Sequence, residues 1–262
     1  MLIAELISYL DDFLDSGRFK DVSLNGLQVE GFGHCTKIAT AATASLESID
    51  AAAERGADTL IVHHGLLWRG QEKTVTGTFK NRLNALLEAN LNLIAYHLPL
   101  DANKELGNNR CLCDLLGLDD VDYIVPGEPT SIGMFGMLRK TMNVHDIAEH
   151  LGACLDSPVQ VLGNCGDDVI IHNAAVCSGG GSFLVDDDNN PKFEALVTGD
   201  VNEQTYHLAS ESGTAVFVVG HHASEQGGVR RLGLHLAERF GLEQEHLHFS
   251  IEKNCKVYGN SK

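Results

Sequence analysis

Three short segments carry side chains that could hold metal ions or move protons. They are Val62-His63-His64-Gly65, Ala95-Tyr96-His97-Leu98-Pro99-Leu100-Asp101 and Val219-Gly220-His221-His222-Ala223-Ser224-Glu225. Each follows an apolar run of the kind that forms a buried strand, and each leads into a breaker or a helix. Neutral imidazole is the commonest protein metal ligand, and because it titrates near neutrality it can also carry protons. A mixed imidazole and carboxylate donor set suits Zn, Mn, Fe or Ni, whereas pure thiolate sets favour closed structural zinc. Carboxylates can bridge two ions about 3.5–4 Å apart, the separation used in two-metal hydrolysis, and Asp101 or Glu225 could take that place. The plainer alternative makes each cluster an independent polar strand end. The chain has thirteen histidines, so a lone one says little, and the weight falls on three clusters that share one pattern.

Spacing refines the picture. His221 and Glu225, four residues apart, share one face of a helical turn. Asp101 follows Pro99, which places His97 and Asp101 on a fixed turn rather than a helix. Neighbouring strand residues point to opposite faces, so His63 and His64 serve one centre, or two adjacent ones, only if the backbone turns; Gly65 permits that turn. His222 reads either as an alternative proton shuttle or as a solvated neighbour. The run Ser178-Gly179-Gly180-Gly181-Ser182 could offer backbone N–H groups to an anion. It lacks the lysine and spacing of a phosphate loop and reads as a tight strand-to-helix turn. Arg69 and Arg230 could grip phosphates or could be surface charges. The acidic stretch 186–191 lacks calcium-loop spacing and reads as a solvated turn.

The elements that must position these residues follow from periodicity. Residues 2–14 have the apolar spacing of an amphipathic helix, and Asn25-Gly26 is a turn signal. Strands are expected at 37–42, 59–63 and 91–96, with helices ending near Gly56 and over 79–87, an alternation that suggests an α/β sheet with a mainly parallel core. In such sheets ligands bind outside the carboxyl ends of the strands, so the three clusters could converge there. A break after Gly117–Asp120 and the punctuation Val125–Pro129 divide the chain into a first α/β lobe, 1–125, carrying His63, His64 and Asp101, and a second, 126–262, carrying His221 and Glu225. The second half is expected to hold strands at 133–138, 169–176, 193–198 and 215–219. Helices are expected at 144–155 and 226–240, with a closing strand at 249–251.

Composition narrows the partners. At 262 residues, 44% hydrophobic and 21% charged, the chain can build an ordinary globular core. No apolar run approaches the roughly 20 residues that span a bilayer. The acidic, apolar N-terminus is not a signal peptide. Seven cysteines without a Cys-x-x-Cys pair fit reduced thiols in a cytoplasm. A formal charge of −17 repels polyanions, which disfavours non-specific nucleic-acid and membrane binding and a nuclease function. A small-molecule substrate is expected, and an anionic one would need local positive charge such as bound metal supplies.

Several motifs, in order, resemble the YbgI-like family of dinuclear-metal proteins, whose members are labelled GTP cyclohydrolase 1 type 2 homologues. They are Asn25-Gly26-Leu27-Gln28-Val29, His63-His64-Gly65-Leu66-Leu67-Trp68, His97-Leu98-Pro99-Leu100-Asp101, Ser178-Gly179-Gly180-Gly181, Thr198-Gly199-Asp200 and Gly220-His221-His222-Ala223-Ser224-Glu225. The resemblance implies two α/β lobes, two divalent ions per chain held by His63, His64, Asp101, His221 and Glu225, and a ring-like homohexamer. It implies site-lining places for His97, the candidate catalytic proton carrier, and for Asp200, where a longer Glu is expected. The function it implies is metal-dependent hydrolysis opening the purine ring of GTP. A phosphatase on the same ions and a non-enzymatic metal-binding scaffold are the alternatives.

Overall fold

The structure is a computed structural model and describes residues 1–71, 74–186 and 191–249. The chain opens with helix α1 (Ile3–Phe13), whose buried Ile3, Leu6 and Leu10 follow the expected apolar spacing. There follow β1 (Gly26–Val29), β2 (Lys37–Thr43), α2 (Leu46–Glu54), β3 (Thr59–His64), α3 (Gly77–Glu88) and β4 (Asn92–Ala95). A short helix α4 (Leu98–Ala102) and then α5 (Asn108–Leu116) lead to β5 (Leu118–Tyr123), β6 (Met134–Asn143), α6 (Val144–Leu155), β7 (Gln160–Gly163) and β8 (Ile170–Cys177). The described chain closes with β9 (Ala195–Thr198), α7 (Glu203–Ser212), β10 (Ala215–Val218), the single turn α8 (His221–Ser224), α9 (Gln226–Phe240) and β11 (Glu243–His246).

Two sheets carry this order. The first runs β1-β4-β3-β2-β11, with β4, β3, β2 and β11 mutually parallel and β1 antiparallel at its edge. The first sheet thus has the mainly parallel core expected from its alternating strands and helices, whereas the second runs β5-β6-β8-β9-β10-β7 and is mixed, only β8, β9 and β10 being parallel. In the first sheet β3 is central, and Thr59 through His63 are all buried. A strand covered on both faces reads as a continuous apolar run. Leu60 and Val62 pack in a cluster with Ile49 and Leu86 of α2 and α3, while Ile61 packs on the other face with Leu6 of α1 and Val229 and Leu232 of α9. The second sheet is likewise covered on both faces, with Phe217 facing α5 and α6 residues and Val216 facing Ala209 of α7.

Three sequence expectations are corrected. Residues 98–102 form one helical turn, not a non-helical one, because Pro99 lies in its first turn, where its missing N–H costs nothing. The stretch after Gly117 is no break: Leu118–Tyr123 is an edge strand paired to β6, and its run of outward acidic residues hides it from a hydropathy reading. The sheets therefore do not part at 125/126, since β5 belongs to the second sheet while α9 and β11 return to the first. Among the described residues the last strand is Glu243–His246; of the 249–251 strand expectation, residues 250 and 251 lie outside the described residues, as do 187–190 of the acidic stretch. Among the described residues no helix is long and apolar enough to cross a membrane.

Phe217, fully buried in β10 between Val161 and Val197, holds the strand that delivers the third cluster. Phe217→Ala is expected to cost about 3–5 kcal/mol by leaving a cavity. Met137→Ala, at a side chain 42% exposed, should stay within about 0.5 kcal/mol. Urea unfolding midpoints at unchanged slope read both.

Candidate metal centre

The three clusters meet between the carboxyl ends of strands from both sheets. β3 delivers His63 and His64, β4 runs into His97 and α4 with Asp101, and β10 runs through Gly220 into His221 and Glu225. Among the described residues the donor atoms form three overlapping groups: His63, His64 and His97; His64, His221 and Glu225; and His63, Asp101 and Glu225. Within each group the atoms lie no more than 4.8 Å apart. His63 is fully buried, Asp101 and Glu225 nearly so, and His64, His97 and His221 are partly exposed at the mouth.

The imidazoles are anchored alike. Each uses Nδ1 to meet an oxygen on its outer side: His63 to the Tyr96 carbonyl at 3.1 Å, His64 to Thr43 Oγ1 at 3.3 Å, His97 to Asp21 Oδ1 at 2.8 Å and His221 to Asp200 Oδ2 at 2.5 Å. An Nδ1–H spent in this way fixes the tautomer and leaves Nε2 as the lone-pair donor, an arrangement typical of metal-ligating histidines. For His63, His64 and His221 that Nε2 faces carboxylate: His63 Nε2 is 3.6 Å from Asp101 Oδ2 and 3.5 Å from Glu225 Oε1, while His64 and His221 Nε2 are 3.3 and 3.1 Å from Glu225 Oε2. The two oxygens of Glu225 therefore face different imidazoles. Even so, His63 Nε2 and Glu225 Oε2 are buried without a hydrogen-bond partner in acceptable geometry. Orphaned buried polar atoms are costly and need an explanation. A cation between them supplies one, so the residues fit a divalent ion.

The carboxylates are positioned from behind. Asp101 Oδ1 accepts from Asn108 Nδ2 at 2.8 Å and Ser178 Oγ at 2.9 Å, which leaves Oδ2 facing His63. Asp21 Oδ1 accepts from the Ser23 N–H, and its Oδ2 from Asn25 Nδ2 and the Leu98 N–H, at 2.9–3.0 Å. Electrostatics follow the geometry. Burial tends to lower His63, but the facing Asp101 and Glu225 outweigh it and hold the imidazole at about 9. The adjacent Glu225, prevailing over burial and helped by Asp200, also holds His221 at about 9. Burial and the neighbouring His63 push His64 down to about 3. Burial raises Asp101, whereas Glu225, despite burial, is held far below the usual carboxylate range by the imidazoles around it. The cluster is thus tuned for positive charge at its centre.

Two glycines make room for this packing. Gly179 has φ +61°, and a Cβ there would stand 2.3 Å from Glu225 Oε1 and 3.3 Å from His221 Cε1. The glycine run is thus a turn, as expected, but it also forms one wall of the centre. Gly65 is needed for a different reason from the one its neighbours suggested. Its φ is not left-handed; instead, a Cβ would fall 2.3 Å from Gln28 Oε1, which accepts from the N–H groups of Leu66 and Leu67. The strand runs through both histidines without the turn that had been anticipated, and their rings still lie 4.5 Å apart.

The remaining expectations separate. Asp200 reaches the site through His221 despite its short side chain. His222 turns away, its Nε2 meeting the Phe249 carbonyl at 2.9 Å. Arg69 and Arg230 are exposed and outside the cleft of about 180 Å³ that His97, Asp101, Gly180, His221 and Glu225 help to line. Asp21, Thr43, Asn108 and Ser178 had no place in the sequence-level site. Asp21 lies far from His97 in the chain, and the one signal was its position just before the Asn25-Gly26 motif.

Comparison with known proteins agrees with the motif resemblance. The family model Duf34/NIF3 (NGG1p interacting factor 3) matches residues 1–255. A "GTP cyclohydrolase 1 type 2 homolog" of Pseudomonas aeruginosa is 39% identical over 241 residues, covering 92% of this chain and 94% of that protein. One from Neisseria meningitidis serogroup B is 40% identical over 246 residues, covering 94% and 97%. Among solved structures, the protein ybgI, described there as of unknown function, superposes with a TM-score of 0.89 at 37% identity over 95% of this chain and 99% of that one. TTHA1606 from Thermus thermophilus gives 0.85 at 35% over the same shares. The chain belongs to the Duf34/NIF3 family.

Proposed function

We propose that the chain is a dinuclear divalent-metal-dependent hydrolase whose substrate is a purine nucleotide. The observation that carries this reading is Glu225, whose Oε1 faces His63 and whose Oε2 faces His64 and His221. Glu225 would hold the ions together with Asp101 and the three imidazoles, a donor set that suits Zn, Fe, Mn or Ni. Ions held there would supply Lewis acidity and make a water acidic enough to lose its proton near neutral pH. His97 carries the proton that hydrolysis must move, its Nδ1 held by Asp21 and its ring at the cleft. The relatives' name, GTP cyclohydrolase 1 type 2 homolog, supports GTP as the nucleotide whose ring is opened. The reading includes the ring-like homohexamer and a cytoplasmic setting. Buried free thiols at Cys35, Cys111, Cys113 and Cys177 are consistent with reducing conditions.

Elemental analysis should find about two ions per chain. His63→Ala is expected to lose metal while keeping its fold by circular dichroism. His97→Ala should keep its metal and lose about 10²–10⁴-fold in turnover. Loss of metal from the His97 variant would instead make His97 a ligand, the role its grouping with His63 and His64 favours. Formate release from GTP, scored beside a phosphoester panel, tests the substrate; full metal content with turnover on neither would leave a metal-binding scaffold.

Imidazoles held at about 9 by carboxylates alone must shed protons when a cation replaces them. Loading should therefore release protons at pH 7, and occupancy should rise with pH. Calorimetry in buffers of different ionisation enthalpy reads the proton count. Loading with no proton release would count against His63 and His221 as ligands.

A further inference from the structure

Beside the candidate metal centre, on the far side of the 220–226 segment, lies a groove of about 630 Å³. Arg230, Arg231, His246 and His248 line it, with Gln226 at one end and Leu115, Leu155 and Leu234 forming an apolar wall. The groove gathers two guanidinium and two imidazole groups in a chain of net charge −17. Asp156 is the one carboxylate among the lining residues. Arg231 is neutralised, its Nη1 donating to Asp114 at 2.6 Å. Arg230 is exposed and makes no ion pair among the described residues. The histidines are fixed through Nδ1: His246 meets Thr40 Oγ1 at 2.9 Å and His248 meets Gln226 Oε1 at 2.7 Å. Burial first, and then repulsion from Arg230, His248 and His222, push His246 down to about 4, so at pH 7 it is a neutral imidazole and the standing positive charge of the groove lies on its arginines.

The groove and the centre flank the same 220–226 segment. A smaller recess shares Gln226 and His248 with it and reaches His221 and His222, and His221 in turn borders the cleft of Asp101 and Glu225. From Glu225 to Arg230 the helix rises roughly 7–8 Å, a span within the length of a nucleotide. We propose that the groove binds the phosphate chain of a nucleotide substrate whose ring lies at the candidate metal centre, with Arg230 as the principal phosphate contact. For the ring end this rests on the hydrolase reading; for the phosphate end it rests on the groove alone. A guanidinium with no ion pair among the described residues can take two phosphate oxygens at once, and the apolar wall strengthens that contact by limiting water.

Titration of inorganic tripolyphosphate into the full chain after chelation of divalent ions tests the site, with heat of binding as the readout. Wild-type protein should bind, more weakly as salt rises. Arg230→Ala should weaken binding by about tenfold or more. Arg230→Lys should recover part of the loss, and Arg69→Ala, at an arginine outside the groove, should match wild type. Equal binding by wild type and Arg230→Ala would overturn the proposal, as would no binding, or binding that returns only when metal is restored. Metal content of Arg230→Ala is measured in parallel. It should equal that of wild type, and a wild type without metal would count against the hydrolase reading while leaving the tripolyphosphate result to judge the groove.

Discussion

Around the buried carboxylate of Glu225 the fold must solve one electrostatic problem. A lone ionised carboxylate removed from water is prohibitively costly unless it is paired. Here the compensation comes from the first sheet, in His63 and His64, and from its own turn, in His221. Each imidazole must present Nε2 inward, and each does so because an oxygen behind it takes the Nδ1 proton. Much of the surrounding structure follows from that requirement. Tyr96 ends β4 where its carbonyl meets His63, Thr43 ends β2 beside His64, and Asp200 follows β9 at the distance His221 needs. Gly179 leaves the gap that the Glu225 head occupies.

The arrangement also explains why the site straddles the two sheets. Donors at the carboxyl ends of parallel strands converge only if the strands end on a common boundary. The Asn108 side chain ties α4 to α9, donating to Asp101 through Nδ2 and accepting from the Gly228 N–H through Oδ1. Ser178 makes a second link, its hydroxyl on Asp101 and its N–H on Asn109. These neutral groups position a charge without adding one. Buried polar networks of this kind are stable only when fully satisfied, and among the cluster residues the atoms left over, His63 Nε2 and Glu225 Oε2, are those that point at the centre.

The three clusters that meet at the centre were legible in the sequence because their signal is local. Apolar runs that stop at His63, at His97 and at His221 mark strand ends, and those strands are present within a residue or two of the expected bounds. The supporting residues were not legible. Asp21 and Thr43 act across tens of residues, and Asn108, seven residues from Asp101, sits in a helix among other polar positions, so nothing in their local spacing distinguishes them. Gly65 shows how a correct identity can carry a wrong reason: the glycine is required by the Gln28 clamp, a contact no local pattern reveals. β5 was missed because strand pairing at an edge tolerates acidic residues that erase the hydropathy signal. The return of α9 and β11 to the first sheet was invisible because sheet membership is a non-local property.

That return fixes the order in which the chain can become complete. Ile38, Ile61 and Ile94 of the first sheet face α9, through Val229, Leu232 and Leu236. During synthesis those isoleucines emerge long before the helix that covers them, and the whole second sheet is made in between. The nascent first sheet must hold an uncovered apolar face until the last helix arrives, a non-local closure that is slow and exposes the chain to aggregation in the interval. Glu225 immediately precedes that helix, so the final covering of the first core and the arrival of the central carboxylate at its imidazoles are one folding event.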